Sequence, residues 1–141
     1  MTIADKIRKY CCYQDRCIQD VRMKIASFKL SETEAEKLLQ QMMEEDFVNE
    51  ERYVESYIRG KINIKKWGRV KIKNELLQKR IALSLINEKL ENIDEGQYVE
   101  NLVSTIRKWK LSNGEDEKEK LYRHLLMKGY EPNFIIHYIN K

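Results

Sequence analysis

Apolar residues return at intervals of three and four along most of the chain, the spacing that lines one face of an α-helix. Val21, Ile25 and Phe28 form one such stripe, Ile72 and Leu76 a second, Leu121 and Leu125 a third. No stretch shows convincing strand alternation, and proline occurs once, at Pro132, with only five glycines to break the pattern. Helices are expected throughout.

The stripes also repeat as a set. Val21, Ile25, Leu30, Ala35 and Leu39 map by a shift of 51 onto Ile72, Leu76, Ile81, Ile86 and Leu90, and by a further 49 onto Leu121, Leu125, Tyr130, Ile135 and Ile139. The preceding element recurs as well, "YVES" from Tyr53 being answered by "YVEN" from Tyr98. Such self-similarity marks tandem helical units, whose short helices must bury their stripes against neighbours. The expected fold is all-α: a curved array of three tandem three-helix repeats, residues 1–46, 47–93 and 94–141. Helices are expected near 3–12, 15–28 and 32–45, near 50–62, 68–79 and 83–92, and near 95–110, 115–128 and 132–139. Ser31 with Glu34 reads as a capping box, and Asn49 before Glu50 and Glu51 as a helix start with acids at its positive end. Gly129 followed by Pro132 reads as a stop and a fresh start.

Charge adds a location to this frame. Between positions 59 and 80 the basic residues Arg59, Lys61, Lys65, Lys66, Arg69, Lys71, Lys73, Lys79 and Arg80 face Glu75 alone, a net +8 in a chain of net +4. The remainder is net −4, and the first unit reads as acidic beside a basic second unit. In the helix opening at Gly68, Val70 or Ile72 with Leu76 and Leu77 can face the core while Arg69, Lys73 and Arg80 spread over the exposed side. A surface of one sign suits a polyanion or an acidic protein partner, and Trp67 can either pack at the helix start or stack on a base or partner side chain. Nucleic-acid and protein partners both stay open on these grounds.

Enzymatic chemistry finds no footing. Gly60, Gly68 and Gly96 are isolated, so no phosphate loop can be assembled. His124 and His137 are far from Cys11, Cys12 and Cys17, which cluster in one expected helical region and read as buried free thiols rather than zinc ligands or a disulfide framework. Glu32, Glu34 and Glu36 read as solvated surface. No cofactor and no metal are expected. The absence of a leader-like or long apolar run gives a cytoplasmic expectation with no membrane contact.

Several motifs resemble the RecX family. "DFVNEERYVESYIRGK" from Asp46 offers the aromatic–aliphatic pair Phe47 and Val48, an acidic turn, and Arg52 with Tyr53; "KKWGRVKIKNELLQKRI" from Lys65 matches Gly-x-x-x-Ile-x-x-x-Leu at Gly68, Ile72 and Leu76. "LLMKGYEPNFI" from Leu125 resembles the closing Lys-Gly-aromatic element. One departure is that Lys79 is followed by Arg80 where the family commonly has glycine. The resemblance implies a noncatalytic protein that binds the RecA recombinase filament on single-stranded DNA and modulates its assembly, strand exchange and ATP hydrolysis, some members also touching DNA. The motif's apolar residues mainly hold the fold, so partner contacts are expected on the basic exterior, at Lys65, Lys66, Arg69, Lys71, Lys73 and Arg80, with Arg59, Lys61 and Trp67 extending the footprint. A monomer is expected, since the repeats can supply their own packing. The alternative is a helical-repeat protein that binds nucleic acid directly.

Overall fold

The computed structural model describes residues 1–140 of the 141-residue chain. Unit one comprises α1 (Ile3–Tyr13), α2 (Ile18–Ala26) and α3 (Glu32–Glu44). Unit two comprises α4 (Glu50–Gly60), a π-helical turn (Lys61–Lys65), α5 (Arg69–Gln78) and α6 (Leu83–Glu91). Unit three comprises α7 (Glu95–Asn113), α8 (Lys118–Lys128) and α9 (Pro132–Ile139). The fold is all-α, three tandem three-helix repeats, with no strand among the described residues.

The recurring stripe is what these helices bury. Thirteen of its fifteen positions are in the core, and only Leu30 and Ala35 of the first copy are half-buried. Each Leu or Ile so buried contributes about 1.5–3 kcal/mol of transfer free energy, which is why the spacing and not local propensity sets the helix faces. Val70 and Leu77, in contrast, stay 42% and 40% exposed, so α5 anchors through Ile72 and Leu76 alone.

The core is divided in two. Ile7, Cys11, Val21, Ile25, Leu38, Leu39, Met42 and Val48 close unit one, with Phe47 packed against them. Units two and three share one continuous core from Tyr53 to Ile139, and Cys17 is the one unit-one residue in it.

The second helix of each unit is followed by a left-handed residue: Lys29 at φ 56°, Arg80 at 61° and Gly129 at 97°. Each stands one position before the equivalent stripe residues Leu30, Ile81 and Tyr130. The reversal lets the amides of Ile81 and Tyr130 reach back to the carbonyls of Leu76 and Leu125, at 3.4 and 3.1 Å, satisfying acceptors that the helix end leaves open.

Helix starts follow side-chain chemistry. Asn49 accepts the Arg52 amide at 3.0 Å, and Ser31 accepts that of Glu34 at 3.2 Å. The Glu34 carboxylate takes the Ser31 hydroxyl rather than its amide, whereas Thr2 and Asp5 form the full reciprocal box. α2 begins at Ile18 because Cys17 is its extended N-cap, its amide held by Asp20 at 3.3 Å. The three cysteines therefore straddle α1 and the start of α2, with Cys11 and Cys17 buried and Cys12 exposed. No helix among the described residues is long and apolar enough to cross a membrane.

Candidate partner-binding face

The face is built where α5 of unit two meets the end of α8 in unit three. α4 runs into the π turn, and Lys66 then turns left-handed at φ 57° to start the path into α5. The amides of Gly68 and Val70, at an N-terminus that lacks intrahelical acceptors, donate to the carbonyls of Lys128 and Gly129 at 2.7 and 2.9 Å. One helix end thereby satisfies the other, backbone to backbone. A Cβ on Gly68 would overlap the Gly129 backbone, and one on Gly129 would overlap Lys71. This close approach is why Gly68 stands at the head of a basic helix.

Side chains reinforce the clasp. Tyr130 donates its hydroxyl to the Lys66 carbonyl at 2.6 Å, and burial pushes its phenol up to about 12. Tyr98, fully buried, accepts the Arg69 amide at 2.9 Å and donates to Glu131; burial, followed by that bond, raises its phenol well above the usual range. Asn101, 2% exposed, donates at 2.9 Å to the Ile62 carbonyl in the π turn. No buried side-chain polar atom among the described residues is left without a partner.

On this platform sits a cluster of cations. The ammonium groups of Lys61 and Lys71 lie over the Trp67 ring, 4.5 and 4.2 Å from its centroid. Lys61 also lies 5.2 Å from the Tyr57 ring. From unit three, Lys128 reaches across to the Lys65 carbonyl at 3.2 Å. Partial burial, then the nearby charges of Lys71 and Lys65, depress the Lys128 ammonium below its ordinary value. None of Lys61, Lys65, Lys66, Lys71 and Lys128 is ion-paired with a described carboxylate. Like charges held together and unpaired attract an anion that relieves their repulsion. Trp67 itself packs against the core shared by units two and three, with the two ammonium groups over its ring.

The other residues expected in the footprint are not gathered here. Arg69 turns into the clasp, pairing with Glu131 at 2.7 Å and with Glu95 while stacking 4.0 Å from the Tyr98 ring centroid. Lys73 lines a groove with Arg69, Asn87, Glu91 and Glu131. Arg59 borders a separate depression with Lys89, Asn92 and Asp94. Arg80 lies at the far end of α5, roughly 15 Å along the helix, in a groove with Arg22 and Glu50. Lys128 belongs to the cluster although it lies outside the basic run; "KGY", Lys128 to Tyr130, was its only signal.

No group of three or more His, Cys, Asp or Glu side chains among the described residues is arranged to hold a metal. His124 packs 6.5 Å from the Trp109 ring, and burial, then the Lys128 charge, lowers its imidazole below the ordinary value.

The fold is that of an all-helical repeat protein, and its face gathers unpaired cations. A family model described as RecX, second three-helix domain, matches residues 49–90. The regulatory protein RecX of Clostridium acetobutylicum is 33% identical over 122 residues, covering 79% of this chain and 55% of that protein. That of Clostridium perfringens strain 13 is 31% identical over 119 residues, with coverages of 80% and 55%. The chain thus spans about half the length of these curated relatives. The crystal structure of RecX from Lactobacillus salivarius superposes with a TM-score of 0.88 at 25% identity, covering 98% of this chain and 92% of that one. This chain belongs to the RecX family.

Proposed function

We propose that this chain is a noncatalytic regulator that binds a RecA filament on single-stranded DNA and modulates its assembly, strand exchange and ATP hydrolysis. The observation that carries the reading is the cation cluster assembled across units two and three, unpaired and held on a backbone clasp. Lys61, Lys65, Lys66, Lys71 and Lys128 make the contacts to acidic filament surface or bound DNA. Two of these lie over the Trp67 ring, and Arg69 shapes the face by closing the clasp. Arg59, Lys73 and Arg80 lie on adjoining grooves and contribute where the partner extends past the cluster. The family membership supports a regulatory rather than catalytic role. The reading is that of a surface-occupying protein in the cytoplasm, acting as a monomer.

The test is binding of the full chain to a preassembled RecA filament, with Lys65, Lys71 and Lys128 reversed to glutamate. The expected result is at least a tenfold loss of affinity, about 1.4 kcal/mol, with an unchanged melting curve. A well-folded variant that binds the filament as tightly as the parent overturns the assignment.

A further inference from the structure

Unit one carries a second basic surface that its average charge conceals. Residues 1–30 hold seven basic side chains against Asp5, Asp15 and Asp20, a net +4, while residues 31–46 hold Lys37 against six acids, a net −5. The cations converge on a groove between α1 and α2 of about 620 Å³, lined by Lys6, Lys9, Arg16 and Lys24 and by no carboxylate. None of these four is in an ion pair with a described carboxylate; Asp5 is engaged by Arg8, Asp15 by Arg52 and Asp20 by Lys79.

Aromatic rings are interleaved with the charges. The Arg16 guanidinium lies 3.7 Å from the Tyr10 ring centroid and 5.9 Å from that of Tyr13, and its Nε donates to the Tyr10 carbonyl at 3.1 Å. Lys24 lies 5.4 Å from Tyr10 and Lys6 5.7 Å from Phe28. Tyr13 is 83% exposed, a flat ring at the groove's edge that packs little in the fold. Positively charged grooves that follow a phosphate chain, with planar groups on which bases stack, are the physical requirement for single-stranded nucleic acid. An acidic peptide would use the cations and leave Tyr13 idle.

We propose that the α1–α2 groove of unit one binds single-stranded nucleic acid, Lys6, Lys9, Arg16 and Lys24 contacting phosphates and Tyr13 stacking on a base. The proposal does not rest on the filament reading, since it requires no recombinase.

The test is fluorescence anisotropy of a labelled oligothymidylate with the full chain and no recombinase. A triple Lys6→Glu, Lys9→Glu, Lys24→Glu variant is expected to bind roughly tenfold or more weakly and to flatten the log–log salt dependence by about 0.7 for each phosphate no longer neutralised. Tyr13→Ala alters only an exposed ring and is expected to weaken binding by about fivefold or more. The proposal is overturned if both variants bind like the parent, or if only reversal of Lys65 and Lys128 abolishes binding. It is equally overturned if the parent ignores the oligonucleotide and binds phosphatidylserine vesicles instead.

Discussion

The two junctions between repeats are made differently. Between units two and three, backbone meets backbone at Gly68 and Gly129, and the hydrophobic core runs through without interruption. Between units one and two, Phe47 and Val48 close the unit-one core, and the remaining contacts are made by partly buried or exposed side chains. Arg52 reaches Asp15 at 3.3 Å, Lys79 reaches Asp20 at 3.2 Å, and Glu50 caps α2 by accepting the Ile18 amide at 3.1 Å. Cys17 alone crosses into the larger core. Exposed ion pairs contribute about 0–1 kcal/mol each, while a buried, close-packed interface cannot shift at one point without disturbing the rest. Units two and three are therefore joined through a shared core, and unit one is joined to them by a seam with less shared core, the weaker of the two junctions.

The largest effect should come from breaking the tight junction. Gly68→Ala places a methyl group into the Gly129 backbone, where no flexible side chain can yield, and should cost about 3 kcal/mol or more. A drop in melting temperature on the order of 10 °C is expected by calorimetry. A melting curve like the parent's would show that the clasp opens freely. Next comes Asn101→Ala, which leaves the Ile62 carbonyl buried without its donor and should destabilise by about 1–3 kcal/mol, read from urea denaturation midpoints.

The weaker seam is distinguished by pH. Burial raises the Asp20 carboxyl, but hydrogen bonds with Cys17 and Lys79 outweigh it and hold the group below its ordinary 3.8. A carboxyl depressed on folding contributes stability that is present above that value and lost as pH falls below it. Acid should therefore loosen the α2 seam by about 1 kcal/mol, discounted because Lys79 is 42% exposed. Asp20→Asn should remove that part of the acid sensitivity. Hydrogen exchange in α2 between pH 5 and pH 3 reads it, and an unchanged pH profile in the variant would exclude Asp20 as the origin.

The smallest effect has the opposite sign. Arg80 adopts φ 61°, a conformation that costs a side-chain-bearing residue about 1–2 kcal/mol, and glycine there regains this less its larger unfolded-state entropy. Arg80→Gly should stabilise by less than about 1 kcal/mol, detectable as a small rise in the urea midpoint. Destabilisation would mean that the arginine side chain holds more of the seam than its surroundings indicate.

The repeat architecture was legible because it rests on spacing. Val21, Ile72 and Leu121 occupy equivalent buried positions, and the shifts that align them also align the left-handed residues that follow. The composition of the face was only partly legible, because charge along a chain does not reveal pairing in space. Arg69 and Lys71 are near neighbours in a basic run, yet one is bound between two acids of unit three and the other lies over Trp67. Lys128 stands alone in sequence and joins the cluster only because Gly129 docks on Gly68. Averaging likewise hid the groove on unit one, where acidic α3 offsets basic α1 and α2.

Lys29, Arg80 and Gly129 share a backbone turn, and at Gly129 the backbone of Lys71 lies where a side chain would stand. A designer who built an idealised protein by averaging the three copies would see two long basic side chains and one glycine at this position. Copying the majority residue into every repeat would fit the turn and yet prevent the third repeat from docking. In a tandem array, the information that fixes the order of the copies is held in such exceptions to the consensus.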